Sequence, residues 1–383
     1  MNLTLKIIKL FPPELAHSIA LYSLKILYKF KILNFFFSKT NKEDHEIFGL
    51  QLSNRLGTAA GLDKNGDFID CLGALGFGFL EVGTITPLPQ SGNPKPRVFR
   101  IPEEQAVINR LGFNNKGIDH LVNNLKSRKF EGVVGVNIGA NKNSVGQDRI
   151  NDYLVCLRKI AGLCDYLTIN ISSPNTPGLR DLHNEENISN LINAIEKEAN
   201  IMNFKGPIFV KISPDESIES ILKLAEIVLN SSMSGLIVSN TTLDRNRLTD
   251  GDYKNINGGL SGAPLMVPST NIVKSIKEAF PKLSIIGVGG VMSKDDFDIK
   301  INAGAELTEN ERENLLAAIA EEDIDGWITH NGFEISLLDG SIYAYFNGYS
   351  LGPGGFDFKF FSFFKTYEAL LRHITSLPMS YVD

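Results

Sequence analysis

The chain is poor in the features that mark secreted, metal-binding or membrane-spanning proteins. Its 383 residues include only three cysteines, Cys71, Cys156 and Cys164. They form neither an even disulfide set nor a metal-ligand spacing, which fits a reducing compartment. No apolar run reaches the roughly 18 residues that a membrane span requires, because Pro12-Pro13, His17 and scattered lysines interrupt the N-terminal hydrophobic region. The compact apolar stretch and small-residue cut site of a cleavable signal peptide are not found. Positive charge is not in surplus either. With 38 Lys and Arg against 44 Asp and Glu, the net charge is −6, so no basic face for nucleic acid is expected. No internal repeat or long low-complexity tract is visible.

What the chain does have is core-forming material: 43% of its residues are hydrophobic and 21% charged, the balance of a globular protein. The charge is unevenly placed. Residues 1–39 carry six lysines against Glu14 alone, so the front end is a basic appendage. There Leu15, Ile19, Tyr22, Ile26 and Phe30 recur at spacings of three and four, after a proline suited to a first helical turn. A second apolar cluster, Ile32-Leu33-Asn34-Phe35-Phe36-Phe37, follows. The spacing predicts a short helical hairpin within residues 1–45, apolar on one side and cationic on the other. Two uses stay open: packing on the main domain, or resting on an anionic membrane surface.

From residue 55 the rhythm changes. Apolar, β-rich runs at 56–60, 79–83, 133–137, 166–170, 208–212, 236–240 and 285–288 alternate with helical stretches. Such alternation predicts a parallel sheet covered by helices, with strands buried on both faces. Each run ends in glycine or a polar residue: Gly61 to Lys64, Thr84, Asn137, Asn170 with Ser173, Lys211, Ser239-Asn240-Thr241, and Gly289-Gly290. In a (β/α)8 barrel of the TIM type all these ends open on one rim and converge on one site. An open doubly wound sheet would spread them along an edge.

Seven runs do not close an eight-stranded barrel, and beyond Ala305 the character changes. Thr308 to Glu311 has capping-box spacing and predicts an acidic helix containing Leu315, Leu316 and Ile319. Beyond it, Asn331-Gly332 and Asp339-Gly340 sit where tight hairpin turns would join strands of an antiparallel meander. The expected organisation is an N-terminal helical segment at 1–45, a barrel at 46–305 and an atypical C-terminal segment at 306–383. The eighth strand is then either displaced to 341–347 or absent.

The strongest motif is Asn170-Ile171-Ser172-Ser173-Pro174-Asn175-Thr176-Pro177-Gly178-Leu179. It resembles the active-site loop of dihydroorotate dehydrogenases of the membrane-associated, quinone-using class. The soluble class has a similar loop with cysteine where this chain has Ser173. Further resemblances follow in family order: Leu10 to His17, Ala60-Gly61-Leu62-Asp63-Lys64-Asn65-Gly66, Gly83-Thr84-Ile85-Thr86-Pro87, Asn109-Arg110-Leu111-Gly112-Phe113-Asn114-Asn115, Asn137-Ile138-Gly139, Val210-Lys211-Ile212, Ser239-Asn240-Thr241-Thr242, Gly259-Leu260-Ser261-Gly262 and Gly287-Val288-Gly289-Gly290. They span about residues 5–305. Past that point the family's eighth strand, of the type Ser-Leu-Val-Gln-x-Tyr-Ser/Thr-Gly, is not recognised.

The resemblance implies an FMN enzyme that oxidises dihydroorotate to orotate in pyrimidine (UMP) synthesis and hands electrons to a membrane quinone. It also implies a peripheral position on the cytoplasmic face of the cell membrane. Ser173 matches the general base, with Thr176 as a proton relay near Phe113. Lys64, Asn109, Arg110, Leu111, Gly112, Phe113, Asn170, Asn175, Asn240 and Thr241 match substrate-binding positions. Amide side chains suit a pyrimidine ring because they offer donor and acceptor together. Ala60, Gly61, Leu62, Asp63, Lys64, Thr84, Asn137, Asn170, Lys211, Ser239, Gly262 and Gly290 match FMN-contacting positions. Of these, Lys211 would stabilise the negative charge that develops on reduction. No histidine lies in these motifs to activate Ser173, which argues against an acyl-transfer hydrolase, and no metal is expected. Two alternatives remain: a catalytically impaired homologue with an altered tail, or a related flavin oxidoreductase with a soluble acceptor.

Overall fold

Short apolar runs build the strands of this protein, and amphipathic runs build the helices between them. The computed structural model describes residues 10–33, 45–175, 184–249 and 251–310, together with the strands at 333–338, 341–346 and 349–350. In chain order come α1 (Pro13–Lys29), β1 (His45–Ile47), β2 (Leu50–Leu52), β3 (Leu56–Thr58), α2 (Ile69–Gly73), β4 (Phe79–Ile85), β5 (Val98–Ile101), β6 (Ala106–Asn109), α3 (Ile118–Ser127) and β7 (Val133–Ile138). Next are α4 (Gly146–Ile160), β8 (Tyr166–Asn170), α5 (Glu185–Ile201), β9 (Ile208–Lys211), α6 (Ile218–Leu229) and β10 (Gly235–Val238). The series ends with α7 (Gly251–Lys254), β11 (Gly259–Gly262), α8 (Ala263–Ala279), β12 (Ser284–Val288), α9 (Lys294–Asn302), β13 (Leu307–Asn310), β14 (Phe333–Leu338), β15 (Ser341–Phe346) and β16 (Tyr349–Ser350).

Strands β3, β4, β7, β8, β9, β10, β12 and β13 close a parallel barrel in that order, β13 returning to β3. Helices lie between the strands, so the architecture is the (β/α)8 barrel that the strand rhythm predicts. Its interior is packed with Phe79, Tyr166, Phe209, Ile237, Ile286 and Leu307. The aromatic rings meet edge to face, with centroids 6.2 Å apart for Phe79 and Tyr166 and 6.0 Å for Tyr166 and Phe209. Room for them comes from small neighbours. A Cβ at Gly57 would lie 2.4 Å from the Phe79 ring, and one at Gly135 2.0 Å from Tyr166. The β1–β2 hairpin packs on the same cluster, with Phe48 at its tip 5.1 Å from the Phe209 ring. Each fully buried Phe side chain contributes roughly 1.5–3 kcal/mol.

The structure corrects the expectation at the barrel's end. The eighth strand is neither displaced to 341–347 nor absent: β13 follows Ala305 directly and pairs with β12 and β3. The barrel therefore runs past residue 305. Thr308 does not open a helix as its capping-box spacing predicts; it pairs with Leu56 inside the barrel wall. The cause is tertiary. Leu307 completes the core cluster, and an open barrel would leave the edges of β3 and β12 unpaired. The acidic helix expected after residue 310 lies outside the described residues.

Two units divide the chain, Met1–Glu321 and Glu322–Asp383. In the second, β14, β15 and β16 form an antiparallel sheet in which Phe333 pairs with Phe346 and Leu338 with Ser341.

Helix α1 starts at Pro13, and its fixed φ and missing N–H suit a first turn. Ala16 and Leu21 are buried, whereas Leu15, Tyr22, Ile26 and Phe30 of the apolar stripe are exposed. The regular spacing thus marks the outer face rather than the packed one. The helix is held by polar ties: Arg97 Nη2 and Nε donate to Glu14 Oε1 at 2.9 and 3.1 Å, and Arg100 Nη2 donates to the Phe11 carbonyl. Lys25 Nζ donates to the Asp67 carbonyl, and Tyr22 meets Phe68 edge-on at 5.2 Å. Phe35 to Phe37 of the expected hairpin lie outside the described residues. Replacing the buried Arg97 with alanine removes the bonds it donates to Glu14 and to two loop carbonyls, Ser91 and Asn93. The expected result is about 1–3 kcal/mol of lost docking, read as faster proteolysis within α1 than in the parent protein.

Candidate active site

At the C-terminal ends of the barrel strands the polar residues converge as the fold requires. One recess is lined by Ala60, Gly61 and Lys64 after β3, Thr84 in β4, and Asn109, Leu111, Gly112 and Phe113 from the end of β6 onward. Asn170 of β8 with Ser173 and Asn175, Lys211 of β9, and Ser239, Asn240 and Thr241 after β10 complete it. Ser173, Lys211 and Asn240, from three separate strands, therefore face one space.

A directed chain of hydrogen bonds fixes these side chains. Asn240 Nδ2 donates to Ser172 Oγ at 2.8 Å, and Ser172 Oγ to Asn170 Oδ1 at 2.8 Å. Asn170 Nδ2 donates to Thr84 Oγ1 at 2.9 Å, Thr84 Oγ1 to Asn137 Oδ1 at 2.6 Å, and Asn137 Nδ2 to Glu81 Oε1 at 2.8 Å. Thr168 and Tyr166 donate to Glu81 Oε2 at 2.7 and 3.2 Å. Every donor points toward Glu81, which accepts at both oxygens. A carboxylate at the end of the chain sets which way each amide faces, and so which edge Asn240 and Asn170 offer to a ligand.

Ser173 is buried, and its Oγ accepts from the Asn175 backbone N–H at 3.2 Å. Asn175 Nδ2 donates to the Asn109 carbonyl at 3.3 Å, tying the loop after β8 to the antiparallel sheet β5–β6–β11. Lys64 Nζ donates to the Gly61 carbonyl at 3.3 Å. Gly61 has φ +106, and a Cβ there would meet nothing within 4 Å, so a side chain at this position would intrude into the recess.

Other expected positions do not line the recess. Asn137 stands behind Thr84. Asp63 is buried and turns its carboxylate to the backbone N–H groups of Asn65, Asp67 and Phe68. Burial pushes its pKa up to about 6, against the opposing pull of those three bonds. Leu62 is in the core, and Arg110 points to the Pro96 carbonyl. Gly262 caps α8 and Gly290 follows β12, both with positive φ. Thr176 lies outside the described residues. Sequence reasoning missed Ala59, Pro174, Ser261 and Val288 in the lining, and Glu81 behind it. A lone carboxylate inside the apolar run 79–83 was the available signal for Glu81. None of the three cysteines lines the recess, and no metal-binding cluster occurs among the described residues.

Comparison with known proteins identifies the family. A family model described as dihydroorotate dehydrogenase matches residues 43–314. The dihydroorotate dehydrogenase (quinone) of Cellvibrio japonicus is 45% identical over 302 residues, covering 78% of this chain and 88% of that protein. The protein of the same description from Buchnera aphidicola is 44% identical over 308 residues, covering 79% and 91%. Among solved structures, DHODH from Eimeria tenella in complex with ferulenol superposes with a TM-score of 0.70 at 34% identity, covering 80% of this chain and 87% of that one.

Proposed function

The chain belongs to the dihydroorotate dehydrogenase family, and from that premise we propose that it oxidises dihydroorotate to orotate in pyrimidine synthesis, with FMN as cofactor and a membrane quinone as final acceptor. The observation that carries this reading is the one recess in which a buried serine hydroxyl, a buried lysine and the four asparagines Asn109, Asn170, Asn175 and Asn240 come together.

The recess suits a flavin. The bare backbone at Gly61 leaves space that a side chain would fill. Thr84, Asn170 and Ser239 offer hydrogen-bonding groups, and Lys211 offers a buried cation for the electron-rich pyrimidine edge. Gly262, at the start of the 17-residue helix α8, and Gly290 lie outside the lining of the recess and would supply backbone for a phosphate that reaches beyond it. When bound, FMN supplies the hydride acceptor. The chain's own residues do the rest. Asn109, Asn175, Asn240 and Thr241 hold the pyrimidine ring, and Lys64 balances the substrate carboxylate. Ser173 Oγ takes the proton from the carbon adjacent to the one that loses hydride, and Thr176 passes it on. Arg110, Leu111, Gly112 and Phe113 form the loop over the substrate.

For the quinone, support comes from the exposed face of α1. Leu15, Ile26 and Phe30 are exposed, and so is Lys29, an arrangement that suits an acyl and headgroup boundary. No helix among the described residues is long and apolar enough to cross a membrane; in this reading the chain rests peripherally on the cytoplasmic face of the cell membrane. Purified protein is expected to be yellow, to bleach on addition of dihydroorotate without oxygen, and to regain colour with a short-chain ubiquinone. Colourless protein that does not take up FMN would instead mark a catalytically impaired homologue.

A further inference from the structure

Behind the recess lies a group of charges that the substrate reading does not use. Lys211 Nζ, which faces the recess, stands 3.5 Å from Glu309 Oε2 of β13 and 3.8 Å from Glu81 Oε1 of β4. The lysine side chain is 6% exposed and both glutamates 0%. Glu81 has Asn137, Thr168 and Tyr166 as further donors. Glu309 Oε1 accepts no hydrogen bond among the described residues. One lysine cannot neutralise two carboxylates, and a surplus charge in a closed barrel is costly, so the carboxyl pair holds a proton to higher pH than an exposed carboxyl does. Burial and then Glu81 push the Glu309 carboxyl well above the usual carboxylate range, while Lys211 pulls it back.

We propose that Glu309 is a positioning residue acting through Lys211: it sets the net charge that the barrel interior presents to the flavin, and so ties flavin reduction to proton uptake by the carboxyl pair. The inference rests on the placement of Lys211 beside FMN proposed above. Hydride transfer would bring negative charge to the flavin edge, and at pH values where Glu309 is ionised before reduction, an O–H bond formed there with a proton from solution would offset it. The groups facing Glu309 are Glu81 from β4, Tyr166 from β8 and Lys211 from β9. The adjoining strands β3 and β12 carry no titratable side chain. On α9, which packs against β13, Lys300 turns its ammonium to Ser269 and Thr270. Glu306, just before the strand, is held by Lys277.

The test is the flavin midpoint potential against pH in the FMN-loaded protein and in Glu309→Gln, which fixes the neutral form at nearly constant shape. The two curves are expected to coincide at acid pH. As Glu309 ionises, the parent should fall below the variant by about tenfold in the redox equilibrium, or about 30 mV for a two-electron couple. Curves that stay parallel throughout overturn the inference and leave the functional reading intact, whereas protein that refuses FMN overturns both. Should the variant not fold, the redox-difference infrared spectrum of the parent decides. A protonated-carboxyl band that grows on reduction supports the proposal, and a flat carboxyl region overturns it.

Discussion

Ser173→Ala is expected to lower turnover by about 10² to 10⁴-fold at neutral pH, the range typical for removing a general base, while FMN stays bound and KM changes little. The asymmetry follows from position. Ser173 Oγ hangs in the recess, accepts from the Asn175 N–H and is not a link in the amide chain from Asn240 to Glu81, so its removal leaves that chain in place. A hydroxyl is a weak base, and the rate should therefore climb with pH. Ser173→Cys tests the same logic from the other side, because a thiol ionises near 8.5 when unperturbed. Burial at this position moves that value up, yet it stays well below a serine hydroxyl. The cysteine variant should retain part of the turnover and level off at lower pH than the parent. Stopped-flow bleaching of the flavin measures both. If the alanine variant bleaches at the parent's rate, Ser173 is not the base.

The positions that sequence made plain are those where local pattern and tertiary demand agree. Runs such as residues 133–136 and Gly235–Val238 are apolar throughout and buried throughout, so their pattern reports strand and barrel together. The loop after β8 was legible as a motif of ten residues. The eighth strand was not, because its four residues Leu307-Thr308-Glu309-Asn310 read as polar and begin with a cap-like threonine. Only Lys211, distant in sequence, offsets a carboxyl there, while Glu81 opposes its charge. The same blindness hid Glu81: a carboxylate in a strand has meaning only once Asn137, Thr168 and Tyr166 are seen to converge on it. For α1 the spacing found the apolar stripe but not its direction, since periodicity is silent on which face is covered.

Glu81→Ala is expected to cost about 3–5 kcal/mol of stability, the penalty for removing one member of a buried ionic network. The carboxylate is fully buried and takes hydrogen bonds from Asn137, Thr168 and Tyr166 while facing Lys211. Its loss leaves three donors without their acceptor and removes one of the two carboxyl groups beside Lys211, in a core packed with Phe79, Tyr166 and Phe209. Glu81→Gln separates shape from charge. The amide oxygen can still accept from Asn137, and the Thr168 and Tyr166 hydroxyls can rotate to accept from its nitrogen. The glutamine variant should therefore recover most of the urea midpoint but hold FMN less tightly, because Lys211 then has only Glu309 as an acidic neighbour and the amides above it lose their fixed polarity. Urea unfolding of the flavin-free proteins and FMN titration by fluorescence quenching measure the two effects separately. Equal urea midpoints for the parent and Glu81→Ala would mean that the network contributes orientation without stability.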